Sequence, residues 1–204
     1  MINLHLRGRG IRDPAVIAAM RQVPRETFVA EGLRDAAYED YPLPIDGGQT
    51  ISQPYIVAYM AEALELSVND RVLEIGTGSG YAAAVLSRMV ANVYSVERLG
   101  ELALSASQRL TKLGYTNVQV FEGDGTLGWS EHAPYYAIVV TAGAPEVPQP
   151  LLDQLAVQGR LVIPVGPTPY LQVVVRIRRL GENEYRREEL CDVRFVPLIG
   201  AAGW

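Results

Sequence analysis

The chain has 204 residues, 49% hydrophobic and 20% charged, the composition of a globular domain rather than a disordered segment. Its 18 Lys plus Arg against 23 Asp plus Glu leave a net charge of −5, which argues against holding a long nucleic acid by phosphate neutralisation. One cysteine, Cys191, excludes an internal disulfide, and two distant histidines, His5 and His132, give no pattern for zinc, so no metal is expected.

No apolar h-region follows the first charges, and no apolar run reaches the ~18 residues of a membrane span. A cytoplasmic chain is expected, with no membrane or nucleic-acid partner and a monomer as the default. Asp13 and Pro14 suit the start of a helix whose apolar face is Val16, Ile17 and Met20, and Pro24 ends it. Residues 35 to 50, with Pro42, Pro44, Gly47 and Gly48, read as loop. A second helix starts after Ser52, with Pro54 in its first turn and Ile56, Val57, Met60, Ala63 and Leu64 on one stripe.

From residue 71 the pattern changes. Strands are expected at 71–75, 92–96, 118–122, 137–141 and 161–165, and helices at 81–90, 99–113 and 151–156. Gly114 stands where a helix C-cap belongs. Strands alternating with helices predict a parallel α/β sheet. The runs 171–180 and 185–195, on either side of Gly181-Glu182-Asn183, predict an antiparallel hairpin on its edge.

The strongest local signal is Glu74-Ile75-Gly76-Thr77-Gly78-Ser79-Gly80-Tyr81, a glycine loop between a strand and a helix. Glycines there allow a tight turn and close approach of a ligand. Glu97 ends the next strand, roughly 20 residues after the first glycine, where a carboxylate can accept from ribose hydroxyls. Asp124 ends the third strand, where a carboxylate could accept from an adenine amine. The Gly-x-Gly-x-Gly spacing differs from the dinucleotide motif, and no P-loop occurs. An adenosyl ligand without phosphates fits best, with S-adenosyl-L-methionine the obvious candidate.

The whole chain resembles the protein-L-isoaspartate O-methyltransferase family. The matching segments are Gln49-Thr50-Ile51-Ser52-Gln53-Pro54, Val72 to Tyr81, Val96-Glu97-Arg98, Gly123-Asp124-Gly125 and Val140-Thr141-Ala142. They continue in Gly159 to Gly166 and Arg194-Phe195-Val196-Pro197-Leu198-Ile199-Gly200. The Thr-Ile-Ser-Gln-Pro segment is more specific than the glycine loop, because other methyltransferases do not share it.

The resemblance implies a Rossmann-like, doubly wound, mostly parallel sheet. Residues 1–66 would be a helical extension and lid, 67–166 the cofactor core, and 167–204 a hairpin and substrate wall. It implies methyl transfer from S-adenosyl-L-methionine to the α-carboxyl of L-isoaspartyl residues, with S-adenosyl-L-homocysteine as product. Ser52, assisted by Thr50, would stand nearest the chemistry, although Ser52 also suits a helix N-cap. Glu74, Gly76, Thr77, Gly78, Gly80, Glu97, Arg98, Asp124, Gly125 and Thr141 would hold the donor, Glu74 facing the loop amides or the donor's charged end. Ile51, Gln53, Val196, Pro197, Leu198 and Ile199 would meet the substrate. Alternatives are a carboxyl methyltransferase dedicated to one peptide, an adenosyl-binding module without catalysis, and an NAD-dependent reductase, which the glycine spacing disfavours.

Three positions depart from the family's usual residues: Tyr136 replaces Asp, Gln158 replaces Gly, and Gly143 replaces Ala. An acid near residue 136 supports the donor pocket in many methyltransferases, so Tyr136 is expected to bear on donor affinity. His132 is expected in a surface loop away from the glycine turn, Cys191 as a small strand residue, and Arg186 to Glu189 as a solvated face.

Overall fold

The computed structural model describes residues 1–168 and 170–204. Its first third is helical and irregular. Ile2–Leu6 form a wide helical turn, followed by a 3-10 turn at Arg7–Arg9. Helix α1 (Pro14–Gln22) is capped by the Asp13 side chain, which accepts from the N–H groups of Ala15 and Val16. Val16, Ile17, Ala19 and Met20 form its buried face.

The segment read as loop contains two short antiparallel strands, β1 (Leu43–Pro44) and β2 (Thr50–Ile51). Gly47 and Gly48, with φ of 65° and 67°, make the turn between them. Helix α2 (Pro54–Ala63) follows, with Pro54 in its first turn as expected.

The core elements are β3 (Arg71–Ile75), α3 (Tyr81–Ser87), β4 (Asn92–Glu97), α4 (Gly100–Lys112), β5 (Val118–Glu122), β6 (Tyr135–Val140), α5 (Gln149–Asp153) and β7 (Leu155–Thr168). The hairpin is β8 (Leu171–Arg179) and β9 (Tyr185–Val193). Strands β3 to β9 form one sheet in the order β5-β4-β3-β6-β7-β8-β9. Pairings from β5 to β7 are parallel, and those of β7 with β8 and β8 with β9 are antiparallel. This is the expected doubly wound sheet with its edge hairpin.

Differences lie at element ends. Helix α3 stops at Ser87 because Asn117 Nδ2 donates to the carbonyls of Ser87, Val90 and Ala91, which a longer helix would need. Helix α5 ends at Asp153, because Leu155 already pairs with Tyr135 in the sheet. Strand β7 is therefore much longer than the 161–165 core.

Both faces of the sheet are covered. Val72, Val93, Ala137 and Val139 pack with α1, α2 and α3, and Leu73, Ile75, Ile138 and Val140 pack with Leu151 and Leu161 on the other face. The N-terminal segment shares the first of these cores through Leu6, Ile11 and Phe28. Arg25 is wholly buried there, its Nε donating to the Ala37 carbonyl 2.8 Å away and its guanidinium 4.9 Å from the Tyr81 ring centroid. Burial lowers its pKa. Among the described residues, no helix is long and apolar enough to cross a membrane.

Candidate active site

The sheet order reverses between β3 and β6, and open α/β sheets bind ligands at such a switch point, beyond the strands' carboxyl ends. Here Gly76 follows β3 and Thr141 follows β6. Thr141 N donates to the Ile75 carbonyl at 2.9 Å, and its hydroxyl lies 2.8 Å from the Gly76 carbonyl. Gly76 has φ of 95°, and a Cβ there would stand 2.4 Å from Thr141 Oγ1. Glycine is required on both counts.

A cavity of about 710 Å³, counting its open mouth, lies over this point. Gly76, Gly78, Glu97, Arg98, Gly125 and Thr141 line it, together with the wall Val196–Ile199. Its size suits a small-molecule ligand. Both oxygens of Glu97 accept backbone N–H groups, Oε2 from Gly78 at 2.9 Å and Oε1 from Leu99 at 3.0 Å. These bonds fix the carboxylate and leave further lone pairs to accept from a ligand.

Four expected donor residues stand elsewhere. Glu74 has no exposed surface and lies beneath the loop, where Ser95 Oγ is 2.5 Å from its Oε2. It therefore faces neither the loop amides nor the cavity. Burial is the main cause that pushes its pKa up to about 8; the Ser95 bond opposes this and the charge of Glu97 adds to it. Thr77 Oγ1 joins the same network, 2.6 Å from Ser95 Oγ. Gly80 packs against α4, where a Cβ would meet Leu110 at 3.3 Å. Asp124 caps the turn at Gly125–Leu127 by accepting from Thr126, and its other oxygen accepts from Ala201 N at 2.8 Å. That places its carboxylate on the C-terminal tail rather than on the cavity wall.

A second cavity, about 830 Å³ with its mouth, opens on the other side of Thr50 and Thr141. Ser52, Gln53, Tyr55, Arg9, Phe195 and Val196 are among the residues lining it. Thr50, Thr141 and Val196 border both cavities, so the two meet there. Ser52 precedes α2 without capping it, and among the described residues its hydroxyl has no hydrogen-bond partner. Ile51 is buried and lines a smaller pocket with Ser52 and Thr77.

The model of the protein-L-isoaspartate(D-aspartate) O-methyltransferase family matches residues 1–203. The chain belongs to this family. It is 76% identical over all 204 residues to protein-L-isoaspartate O-methyltransferase 2 of Pelobacter propionicus, covering 91% of that protein. A solved protein-L-isoaspartate O-methyltransferase superposes with a TM-score of 0.90 at 32% identity, covering 99% of this chain and 66% of that one. A Plasmodium falciparum structure described as such a methyltransferase, in complex with S-adenosyl-L-homocysteine, gives 0.81 at 28% identity, with 97% and 96% covered. Membership makes the chain a methyltransferase enzyme.

Within that family frame, Tyr136 and His132 can be placed. Tyr136 lies near the amino end of β6 with its ring exposed, at the opposite end of the strand from Thr141. Four to five residues of strand put roughly 15 Å between them. Tyr136 therefore has no direct part in the cavity. His132 is half-buried rather than a surface residue, its ring 4.2 Å from that of Tyr94 and 4.6 Å from that of Trp129. Cys191 does sit in a strand, β9, where it also borders the Ser52 cavity. Arg186, Arg187 and Glu189 are exposed, whereas Glu188 pairs with Arg176 at 2.5 Å.

Sequence reasoning gave no site role to Arg9, Gln49, Leu99 and Phe195, which line the cavities, or to Asp40, which binds Arg9, Gln53 and Tyr55. Gln49, Phe195 and Arg9 carried a signal, through matching motifs around them, Arg9 in Leu6-x-x-Arg9-Gly10-Ile11.

Proposed function

We propose that this chain transfers a methyl group from S-adenosyl-L-methionine to the free α-carboxyl of L-isoaspartyl residues in aged proteins and peptides. The following backbone amide nitrogen then attacks the ester carbonyl and expels methanol to give a succinimide, which water can reopen to normal aspartate. The observation that carries the reading is the meeting of two cavities at Thr50 and Thr141. One would take the adenosyl donor and the other an extended peptide.

The donor, when bound, supplies an electrophilic methyl on a sulfonium. Gly76 and Gly78 let the backbone approach it, and Glu97 is held ready to accept from its ribose hydroxyls. Arg98 and Gly125 border the same space. Ser52 would donate to the substrate carboxylate and orient it, with Thr50 beside it. Gln53 would shape the peptide side, Ile51 would back Ser52 from its smaller pocket, and Val196, Pro197, Leu198 and Ile199 would exclude water.

No general base is required, because an α-carboxyl is ionised at neutral pH. The nucleophile and the sulfonium cancel charge as they react. A strongly cationic site would favour the substrates over the transition state. Alignment and desolvation are the effects left to supply the rate. Residues 1–66 would then serve as lid, 67–166 as donor core and 167–204 as substrate wall. Asp124 would act through the tail and Glu74 as a support beneath the loop.

The test incubates the protein with S-adenosyl-L-methionine and two peptides that differ only in isoaspartate or aspartate at one site. Mass spectrometry should find methyl ester or succinimide from the isoaspartyl peptide alone. Product from neither peptide, with the donor bound in calorimetry, would overturn general repair in favour of a dedicated substrate or a binding role.

A further inference from the structure

Helix α2 begins beside the reacting groups, and its first turn needs capping. Pro54 has no N–H to satisfy. Gln53 holds the N-cap position, but its side chain makes no cap bond to the Tyr55 N–H, and Ser52 lies one residue further out, three before Tyr55. Instead that N–H donates to Asp40 Oδ1 at 3.0 Å, from 15 residues earlier in the chain. The other carboxylate oxygen of Asp40 accepts from Gln53 Nε2 at 3.0 Å and from Arg9 Nη1 at 2.6 Å. Gln53 Nε2 also donates to the Asp40 carbonyl at 2.8 Å. Arg9 in turn lies 3.6 Å from the Tyr55 ring centroid. The Asp40 side chain is only 11% exposed, so these bonds are partly shielded from water.

We propose that Asp40 is a positioning residue for methyl transfer: by capping α2 from outside and clamping Gln53, it releases the Ser52 hydroxyl from capping and fixes it toward the substrate. Without Asp40, the bare N–H of Tyr55 offers Ser52 Oγ a local partner, and Ser52 turns away from the carboxylate it should orient. The inference rests on the proposed role of Ser52.

The test is a double-mutant cycle, with kcat measured on the isoaspartyl peptide and S-adenosyl-L-homocysteine binding measured separately. Asp40→Ala and Ser52→Ala should each lower kcat by about tenfold or more, since small misplacements in such a site cost up to about 100-fold. Affinity for S-adenosyl-L-homocysteine should stay within about twofold in both. The double variant should be no slower than Ser52→Ala by more than about twofold, because a residue acting through another is non-additive with it.

An Asp40→Ala enzyme with full kcat, or losses that multiply in the double variant, would overturn the proposal. Full activity of Ser52→Ala would instead sink the reading of Ser52, and with it the route by which Asp40 acts. Asp40→Asn keeps one oxygen for the Tyr55 N–H but turns its NH2 toward Gln53 Nε2 and Arg9 Nη1, so its kcat should fall between the parent's and that of Ser52→Ala. If it is as slow as Ser52→Ala, the capping argument fails even where Asp40→Ala does not fold. Asp13→Ala removes the cap of α1, away from the cavities, and should lower stability without changing kcat.

Discussion

The carboxyl of Glu74 meets the hydroxyl of Ser95 at 2.5 Å, and neither residue has any exposed surface. Ser95 passes the contact on to Thr77 in the glycine loop, while Glu74 Oε1 has no partner. A charged carboxylate in that setting costs heavily, so Glu74 stays protonated at neutral pH, with its pKa pushed up to about 8.

That shift makes stability depend on pH. The folded state holds the Glu74 proton more tightly than the unfolded state, whose value is near 4.5. The contribution is therefore fully present below the unfolded pKa and is lost as pH rises toward 8, with a limiting slope of about 1.4 kcal/mol per pH unit. Glu74→Gln keeps the shape and removes the titration. Urea unfolding between about pH 5 and pH 8 should show a falling midpoint in the parent and a flatter one in the variant. An equal slope in both proteins would place the proton elsewhere.

The sheet was legible because its signals are local. Short apolar strands, the glycine loop and the acid ending β4 each declare themselves within a few residues. The contacts that refine the site are not local. Asp40 reaches Tyr55 across 15 residues, and Asp124 reaches Ala201 across 77. A carboxylate at a strand end looks the same in sequence whether it accepts from a ligand or from a distant backbone amide. Glu97 and Asp124 were therefore both read as ligand acceptors, for ribose and adenine respectively, and only the folded chain separates them. Glu74 was misplaced for a related reason. Strand alternation says that it faces away from Ile75, but not that it is fully buried beneath the glycine loop against Ser95.

Gln158 occupies a backbone conformation that favours glycine, with φ of 68°. That accounts for the glycine usual at this position in the family. A non-glycine residue there costs about 1–2 kcal/mol, part of which glycine's greater unfolded freedom gives back. The Gln158 side chain returns a single exposed bond, to the Leu180 carbonyl at 3.1 Å. Gln158→Gly should therefore stabilise the fold by roughly 0.5–1 kcal/mol, raising Tm by about 1–4 °C. Differential scanning calorimetry decides it; an unchanged or lower Tm would mean that the bond to Leu180 outweighs the strain.

Tyr136 offers a contrasting case, because nothing about its place touches the donor. Tyr136→Asp should leave the calorimetric Kd for S-adenosyl-L-homocysteine within about twofold of the parent, well under the 1.4 kcal/mol that a tenfold change represents. A tenfold gain in affinity would require a long-range effect that the geometry does not contain.

Gly143 and Gln172 form a matched pair that holds the substrate wall. Gln172 is buried, accepts from Phe195 N at 2.8 Å and donates to the Phe195 carbonyl at 3.3 Å. Gly143 binds the next turn of the same segment, its N–H donating to Val196 at 2.8 Å and its carbonyl accepting from Leu198 at 2.7 Å. A Cβ at 143 would stand 2.2 Å from Gln172 Nε2. An alanine at 143 would therefore have to push the end of the Gln172 side chain off its two bonds to Phe195. Gly143→Ala should destabilise the protein by about 1–3 kcal/mol through overpacking. It should also raise KM for the isoaspartyl peptide, because Phe195 and Val196 border the cavity proposed for it. Shortening the neighbour in Gly143→Ala/Gln172→Ser should recover part of the stability, since residues in contact couple. Urea midpoints of the two single variants and the double variant measure that coupling. Purely additive losses would show that the close approach relaxes elsewhere and that glycine at 143 answers to something other than Gln172.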